Sequence, residues 1–185
     1  YEHSCRDMNT TTILTATHHT PCGDLLIGAV GHRICLCDWA AGGSPRPMVE
    51  RRLRRLYGPL STPGAADSPL IDEARRQLDL YFDRRLREFD LPLAIDGTPL
   101  QQAVWLRLTA IPYASTISYS QLAASVGHPT AVRAVASACG ANAISIIIPC
   151  HRVTGADGSL TGYAGGIAAK RRLLDLESHA ATPIP

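Results

Sequence analysis

Two four-residue signatures, Thr98-Pro99-Leu100-Gln101 and Ser118-Tyr119-Ser120-Gln121, constrain this chain more than anything else in it. In each, a hydroxyl residue precedes a glutamine by three positions. The hydroxyl accepts from an orphan N–H of a helix's first turn, and the glutamine reaches back to the cap residue. Helices therefore start at both sites. The first has proline at its opening helical position and runs to about Thr109. The second is short and closes at Gly127; after His128-Pro129 another helix spans Thr130–Cys139 and ends at Gly140. Ahead of Asp96-Gly97 the punctuation differs. Thr11–Thr17, Leu25–Val30 and Arg33–Trp39 are β-prone, separated by Pro21-Cys22-Gly23-Asp24 and by Gly31-His32, as in a meander with tight turns. Val49, Leu53 and Leu56 share a face of a helix over Val49–Tyr57. After a Pro-rich connector, Pro59 to Pro69, a second helix is traced by Leu70, Ala74, Leu78 and Tyr81/Phe82, and Phe89–Ile95 returns as a strand or extended segment. The fold class is α/β in composition and α+β in arrangement, with residues 1–95 as one domain and 96–185 as another.

Apolar residues make up 45% of the 185 and charged residues 18%, the balance of an ordinary globular protein. No apolar run approaches the roughly 20 residues that cross a bilayer, and Tyr1 to Thr12 lacks the basic-then-apolar pattern of a secretory signal. A cytoplasmic protein is expected, or a nuclear one if the cell has a nucleus, with no membrane partner. A formal charge of +2 does not announce nucleic acid. Among the basic residues only Lys170 is lysine, and the clusters Arg51/Arg52/Arg54/Arg55 and Arg84/Arg85/Arg87 read as solvated helix faces. Cys5, Cys22, Cys35, Cys37, Cys139 and Cys150 read as reduced thiols. The Cys and His of the first 40 residues show neither CxxC nor HxxxH spacing, so no metal site is expected.

The chemistry sits late in the chain. Ser145-Ile146-Ile147-Ile148 reads as a short buried strand running into Pro149-Cys150-His151-Arg152-Val153. Thiolate is the reactive form of cysteine, so a working Cys150 needs a base or positive charge nearby. His151 is adjacent, although neighbours on extended chain point to opposite sides and a bridging water would be needed. Glu177, on a final helix near Ala168–Ser178, is a candidate to orient that histidine. On these residues alone a buried structural cysteine competes with a nucleophile. The paired short helices before it resemble a helix-turn-helix as much as any α-hairpin. The second, nearly all Ala, Ser and Cys around Arg133, suits either close helix packing or approach to a DNA groove.

A longer match decides between these readings. Ile148-Pro149-Cys150-His151-Arg152-Val153, then Gly158, Gly162-Tyr163-Ala164-Gly165-Gly166, Lys170 and Leu173-Leu174, resembles the alkylguanine-DNA alkyltransferases, or methylated-DNA–protein-cysteine methyltransferases. The likeness extends back through Pro99-Leu100-Gln101-Gln102, Val104-Trp105, Ile111-Pro112, Ser118-Tyr119, Ala131-Val132-Arg133-Ala134-Val135 and Asn142. The resemblance implies a ribonuclease-H-like mixed sheet with helices, followed by a mostly helical, winged helix-turn-helix-like domain. It implies DNA repair by irreversible, one-use transfer of an alkyl group from 6-O-alkylguanine, and from 4-O-alkylthymine, to Cys150 after the nucleotide is flipped out. It makes His151 the base, Glu177 its carboxylate partner, and Asn142 the tie between recognition helix and active-site strand. Tyr119, Val153, Tyr163, Ala164 and Gly165 would bind the base. Arg133 would fill the gap in the stack, and Ala131, Ala134 and Ser137 would face the minor groove of double-stranded DNA. No cofactor is implied, and a monomer is expected. Ala164 stands where some relatives carry a hydroxyl, so a backbone amide would serve there. Cys139, near the pocket, is expected to be an inert small hydrophobe. The alternatives are the self-methylating tail of a larger transcriptional sensor, a non-catalytic DNA-binding regulator, a Cys-His hydrolase and a purely structural module.

Overall fold

The computed structural model describes residues 12–40 and 42–179. Cys5, and Thr11 with which the first strand was expected to open, lie outside them, as does nearly all of the Tyr1–Thr12 stretch. The first half is built on β1 (Leu14–Thr20), β2 (Gly23–Val30) and β3 (Arg33–Trp39), an antiparallel sheet in that order. Register pairs Thr20 with Gly23 and Val30 with Arg33, so each connection is a two-residue turn. Gly31 makes the second turn possible by taking a left-handed φ of 57°. Helix α1 (Pro47–Tyr57) buries Val49 and Leu53, but Leu56 is 42% exposed, so the expected three-residue face is narrower by one. Helix α2 (Pro69–Phe82), capped by Ser68, packs across all three strands with Ile71, Ala74, Leu78 and Tyr81 buried.

The outer edge of β3 positions the rest of the molecule. Pro92 and Ala94 exchange backbone hydrogen bonds with Ile34 at 2.8 Å, and Ala143 and Ser145 do the same with Cys37 at 2.8 and 2.7 Å. These are single parallel bridges, Ile34 with Leu93 and Cys37 with Ile144. Phe89–Ile95 is extended, one of the two forms expected of it, and the Ser145–Ile148 strand is corrected. Phe89–Ile95 contributes one bridge, and Ser145–Ile148 is a turn in which Ile146 has φ 70°. A β-branched residue rarely takes that conformation, and the bridges at Ile144, Ser145 and Ile148 hold it there.

In the second half both capping boxes form as read, opening α3 (Pro99–Thr109) and α4 (Tyr119–Ser125). Helix α5 (Val132–Gly140) packs on both. The two-residue strands β4 (Ile117–Ser118) and β5 (Val153–Thr154) pair in parallel, and α6 (Gly166–His179) is the last element of the described residues.

Candidate active site

The turn after Ser145 reverses the chain, and the side chain of Asn142 fills it. Asn142 Oδ1 accepts from Ile144 N at 2.9 Å, while Nδ2 donates to Ile148 O at 2.9 Å and to Cys150 Sγ at 3.3 Å. One amide thus fixes the loop and holds the sulfur. Cys150, His151 and Arg152 then form a single 3-10 turn, in place of the extended chain expected there.

Behind that turn lies a fully buried ion network. His151 Nε2 meets Glu177 Oε1 at 2.7 Å, and Arg152 Nε and Nη2 each reach the same carboxylate at 3.0 Å. The hydroxyl of Tyr81 donates to it at 2.8 Å and Ala114 N at 3.2 Å. Burial disfavours a charged Glu177, but the hydrogen bonds from His151 and Arg152 outweigh it and hold the group down to about 2. Burial lowers the pKa of His151 against the pull of Glu177. The ring is then neutral, with Nε2–H given to the carboxylate and a bare lone pair on Nδ1. That Nδ1 is buried without a partner among the described residues. A histidine so arranged is a base with its tautomer fixed.

In front of the turn, Cys150 shares a cleft of about 520 Å³ with Arg46, Tyr119, Arg133, Asn142 and Tyr163. The neighbouring thiol of Cys139 lowers the pKa of Cys150 most. Burial opposes this, and Asn142, Arg46 and Lys170 add to the lowering. Lys170 is itself buried, donating to Val153 O at 2.5 Å and Thr161 O at 3.0 Å. Tyr119 donates to Thr161 O at 3.3 Å, and burial pushes its hydroxyl up to about 12, so it stays a donor at neutral pH.

The comparisons agree with this architecture. The family model "6-O-methylguanine DNA methyltransferase, ribonuclease-like domain" matches residues 13–95, and "6-O-methylguanine DNA methyltransferase, DNA binding domain" matches residues 99–179. The chain belongs to this methyltransferase family. A methylated-DNA–protein-cysteine methyltransferase of Mycobacterium bovis is 49% identical over 131 residues, 71% of this chain and 79% of the relative. The crystal structure of Mycobacterium tuberculosis OGT in complex with DNA has a TM-score of 0.75 at 41% identity, covering 91% of this chain and 94% of that one. The regulatory protein ada of Salmonella typhimurium is 44% identical over 168 residues, 80% of this chain but 46% of that protein.

In this methyltransferase-family chain, Cys150, His151, Glu177, Asn142, Tyr119, Tyr163, Ala164 and Arg133 are brought to one place, with His151 and Glu177 behind the turn and the others on the cleft. Val153 is not on the cleft lining; it is buried in β5, where its carbonyl holds Lys170. Ala134 and Ser137 are exposed on α5 and Ala131 is half-buried just before it, while the helix turns Val132, Arg133 and Ala136 to the cleft. Gly165 also lies off the lining.

Cys139 lies beside the pocket, where it was expected. It lines the same cleft, and its interaction with Cys150 together with burial raises its pKa well above an ordinary thiol's. In Cys139→Ala the Cys150 thiolate loses that neighbour, so the pH midpoint of its reaction with iodoacetamide rises. An unchanged midpoint would remove Cys139 from the site. Arg46 was not foreseen at all. It pairs with buried Asp38 at 3.0 Å and donates to Gly140 O and Asn142 O, each at 2.6 Å, while Arg52 donates to Ala141 O at 2.8 Å. Partners 94 and 96 residues apart leave no trace in local spacing.

Proposed function

We propose that Cys150 takes the alkyl group of a 6-O-alkylguanine in DNA and keeps it, with 4-O-alkylthymine as a second substrate. The family to which the chain belongs carries the general activity, repair by alkyl transfer to a protein cysteine. What supports this assignment of residues is one observation: a sulfur held by an amide at 3.3 Å at the wall of a cleft that the recognition helix and the 161–164 strip also line.

In this reading His151 Nδ1 draws the thiol proton through a water, and Glu177 steadies the imidazolium that results. The thiolate attacks the alkyl carbon as the carbon–oxygen bond breaks, giving a thioether and a guanine anion that a hydrogen bond to its oxygen stabilises until it takes up a proton. Tyr119, kept protonated, or an amide near Ala164 provides that hydrogen bond. A thioether is not cleaved by thiol exchange, so each molecule reacts once, and no step calls on a cofactor. The target carbon is inside a duplex, so the nucleotide is extruded, costing about a few kcal/mol. Helix α5 enters the minor groove with its small side chains Ala131, Ala134 and Ser137, and Arg133 occupies the vacated stack. The chain acts as a monomer of two domains, 1–95 and 96–185, in the cytoplasm, or in the nucleus of a cell that has one. The match to ada over less than half of that protein keeps a second reading in view, the methyl-accepting part of a longer sensor. A gene product with a further regulatory domain would select it.

The deciding experiment is intact mass before and after incubation with a 6-O-methylguanine duplex. One methyl is gained, and peptide mapping puts it on Cys150; multiple turnover, or a methyl elsewhere, refutes the assignment. Arg133→Ala is expected to slow repair of duplex about tenfold or more while leaving reaction with the free base nearly unchanged, since only the duplex requires extrusion. Equal slowing of both would count against its stacking role.

A further inference from the structure

Three consecutive residues at the end of β3 each grip a different part of the site. Cys37 is bridged through its backbone to Ala143 and Ser145, at the entrance to the active-site turn. Asp38 holds Arg46, which holds the carbonyls of Gly140 and Asn142. Trp39, the last residue of the strand, reaches the opposite wall. Its indole meets the ring of Tyr163 edge to face at 5.9 Å, and Tyr163 in turn meets the ring of His151 at 6.4 Å in the same geometry.

The indole also leans on Gly165. A Cβ there would lie 2.7 Å from Trp39 Cδ2 and 2.8 Å from Nε1, closer than real Cβ contacts come. The backbone of Gly165 is not left-handed, unlike that of Gly162 at φ 53° or Gly166 at φ 84°. The demand for glycine at 165 therefore comes from the ring and not from the chain's own conformation. The ring also lies next to Gly23, where an added Cβ would stand 3.6 Å from it, an ordinary contact distance. The 161–162 end of the strip is tied by Tyr119 and Lys170, both from the second half. The 163–165 end rests on Trp39.

We infer that Trp39 is a positioning residue for alkyl transfer: the N-terminal sheet, through this one indole, seats the 163–165 strip so that Tyr163 stays against His151 and lines the cleft. The inference rests on the reading of Cys150 as the alkyl acceptor. Trp39 lies outside the cleft lining and acts through Tyr163 and Gly165, so it sets the geometry of transfer and leaves duplex affinity alone.

The test is a mutant cycle read in single-turnover kinetics on a 6-O-methylguanine duplex, with affinity measured separately. Trp39→Ala and Gly165→Ala each slow the saturating rate constant about tenfold, because misplacement of a catalytic wall by a fraction of an ångström is costly. Combined, they are no slower than Trp39→Ala alone within about twofold, because the ring that excludes a Cβ is gone. Trp39→Phe keeps an aromatic edge for Tyr163 and the fold, and restores most of the rate. Duplex affinity stays within about twofold throughout, a split that general loss of structure would not produce. Additive losses in the double variant, or a wild-type rate in Trp39→Ala, overturn the inference while wild-type protein still takes up its methyl. Absence of uptake by wild-type protein would remove the acceptor reading, and this inference with it.

Discussion

Cys150→Ala protein, incubated with a 6-O-methylguanine duplex, retains its unmodified mass while still retarding that duplex on a gel. The expected loss of alkyl uptake is complete, because no other described thiol can take over. Burial pushes Cys35 up to about 12 and Cys37 further, inside the sheet, while Cys22 lies off the cleft and burial raises its pKa too. Cys139 is in the right cleft, but its pKa is raised well above an ordinary thiol's. The substitution is also mild for the fold: Asn142 gives up its bond to sulfur and keeps Ile148 O and Ile144 N, so the turn survives. A methyl found on the variant, at any residue, would defeat the single-acceptor account.

Glu177→Gln should be the most damaging change made away from the reacting sulfur. The glutamine has about the same shape but leaves buried Arg152 without its counter-charge, and breaking a buried pair in this way costs about 3–5 kcal/mol. It also frees the ring of His151 from its one partner, so the tautomer with a bare Nδ1 is no longer enforced, and transfer slows by about a hundredfold or more. The pH dependence follows with a definite sign. Glu177 is held down to about 2 in the folded protein. An unfolded carboxylate titrates near 4.3, so its contribution is complete above that value and is lost as pH falls toward 2. Wild-type stability from urea melts therefore declines over that acid window, and the variant's declines less steeply. Parallel curves would show that the carboxylate is not stabilised as described.

What the chain's letters disclosed, and what they withheld, divides along the range of the interactions. Capping boxes are complete within four residues, so Thr98 and Ser118 could be read outright. The β1–β2–β3 meander was equally legible, since its turns are two residues long. Cys150, His151 and Glu177 were visible as chemistry plus resemblance. The failures are contacts that local spacing does not mark. An isoleucine run looks like a strand, yet Ser145–Ile148 is a turn because Asn142 and the edge of β3 satisfy its backbone. Val153 was counted with the base pocket because it follows the motif, whereas its side chain is fully buried in β5. Arg46, Arg52 and Trp39 come from the first half, while the site carbonyls and the Tyr163 ring they hold lie in the second.

The grip of Arg46 and Arg52 on residues 140–142 has an electrostatic consequence. The carboxyl end of an α-helix carries roughly half a negative elementary charge and the amino end the opposite. In α5 two guanidinium groups from the first half cover that negative pole. The pole left facing outward is the positive one, with Arg133 in its first turn. A polyanion approaching this surface thus meets attraction concentrated at one helix end, which a nearly balanced overall charge of +2 would never have suggested.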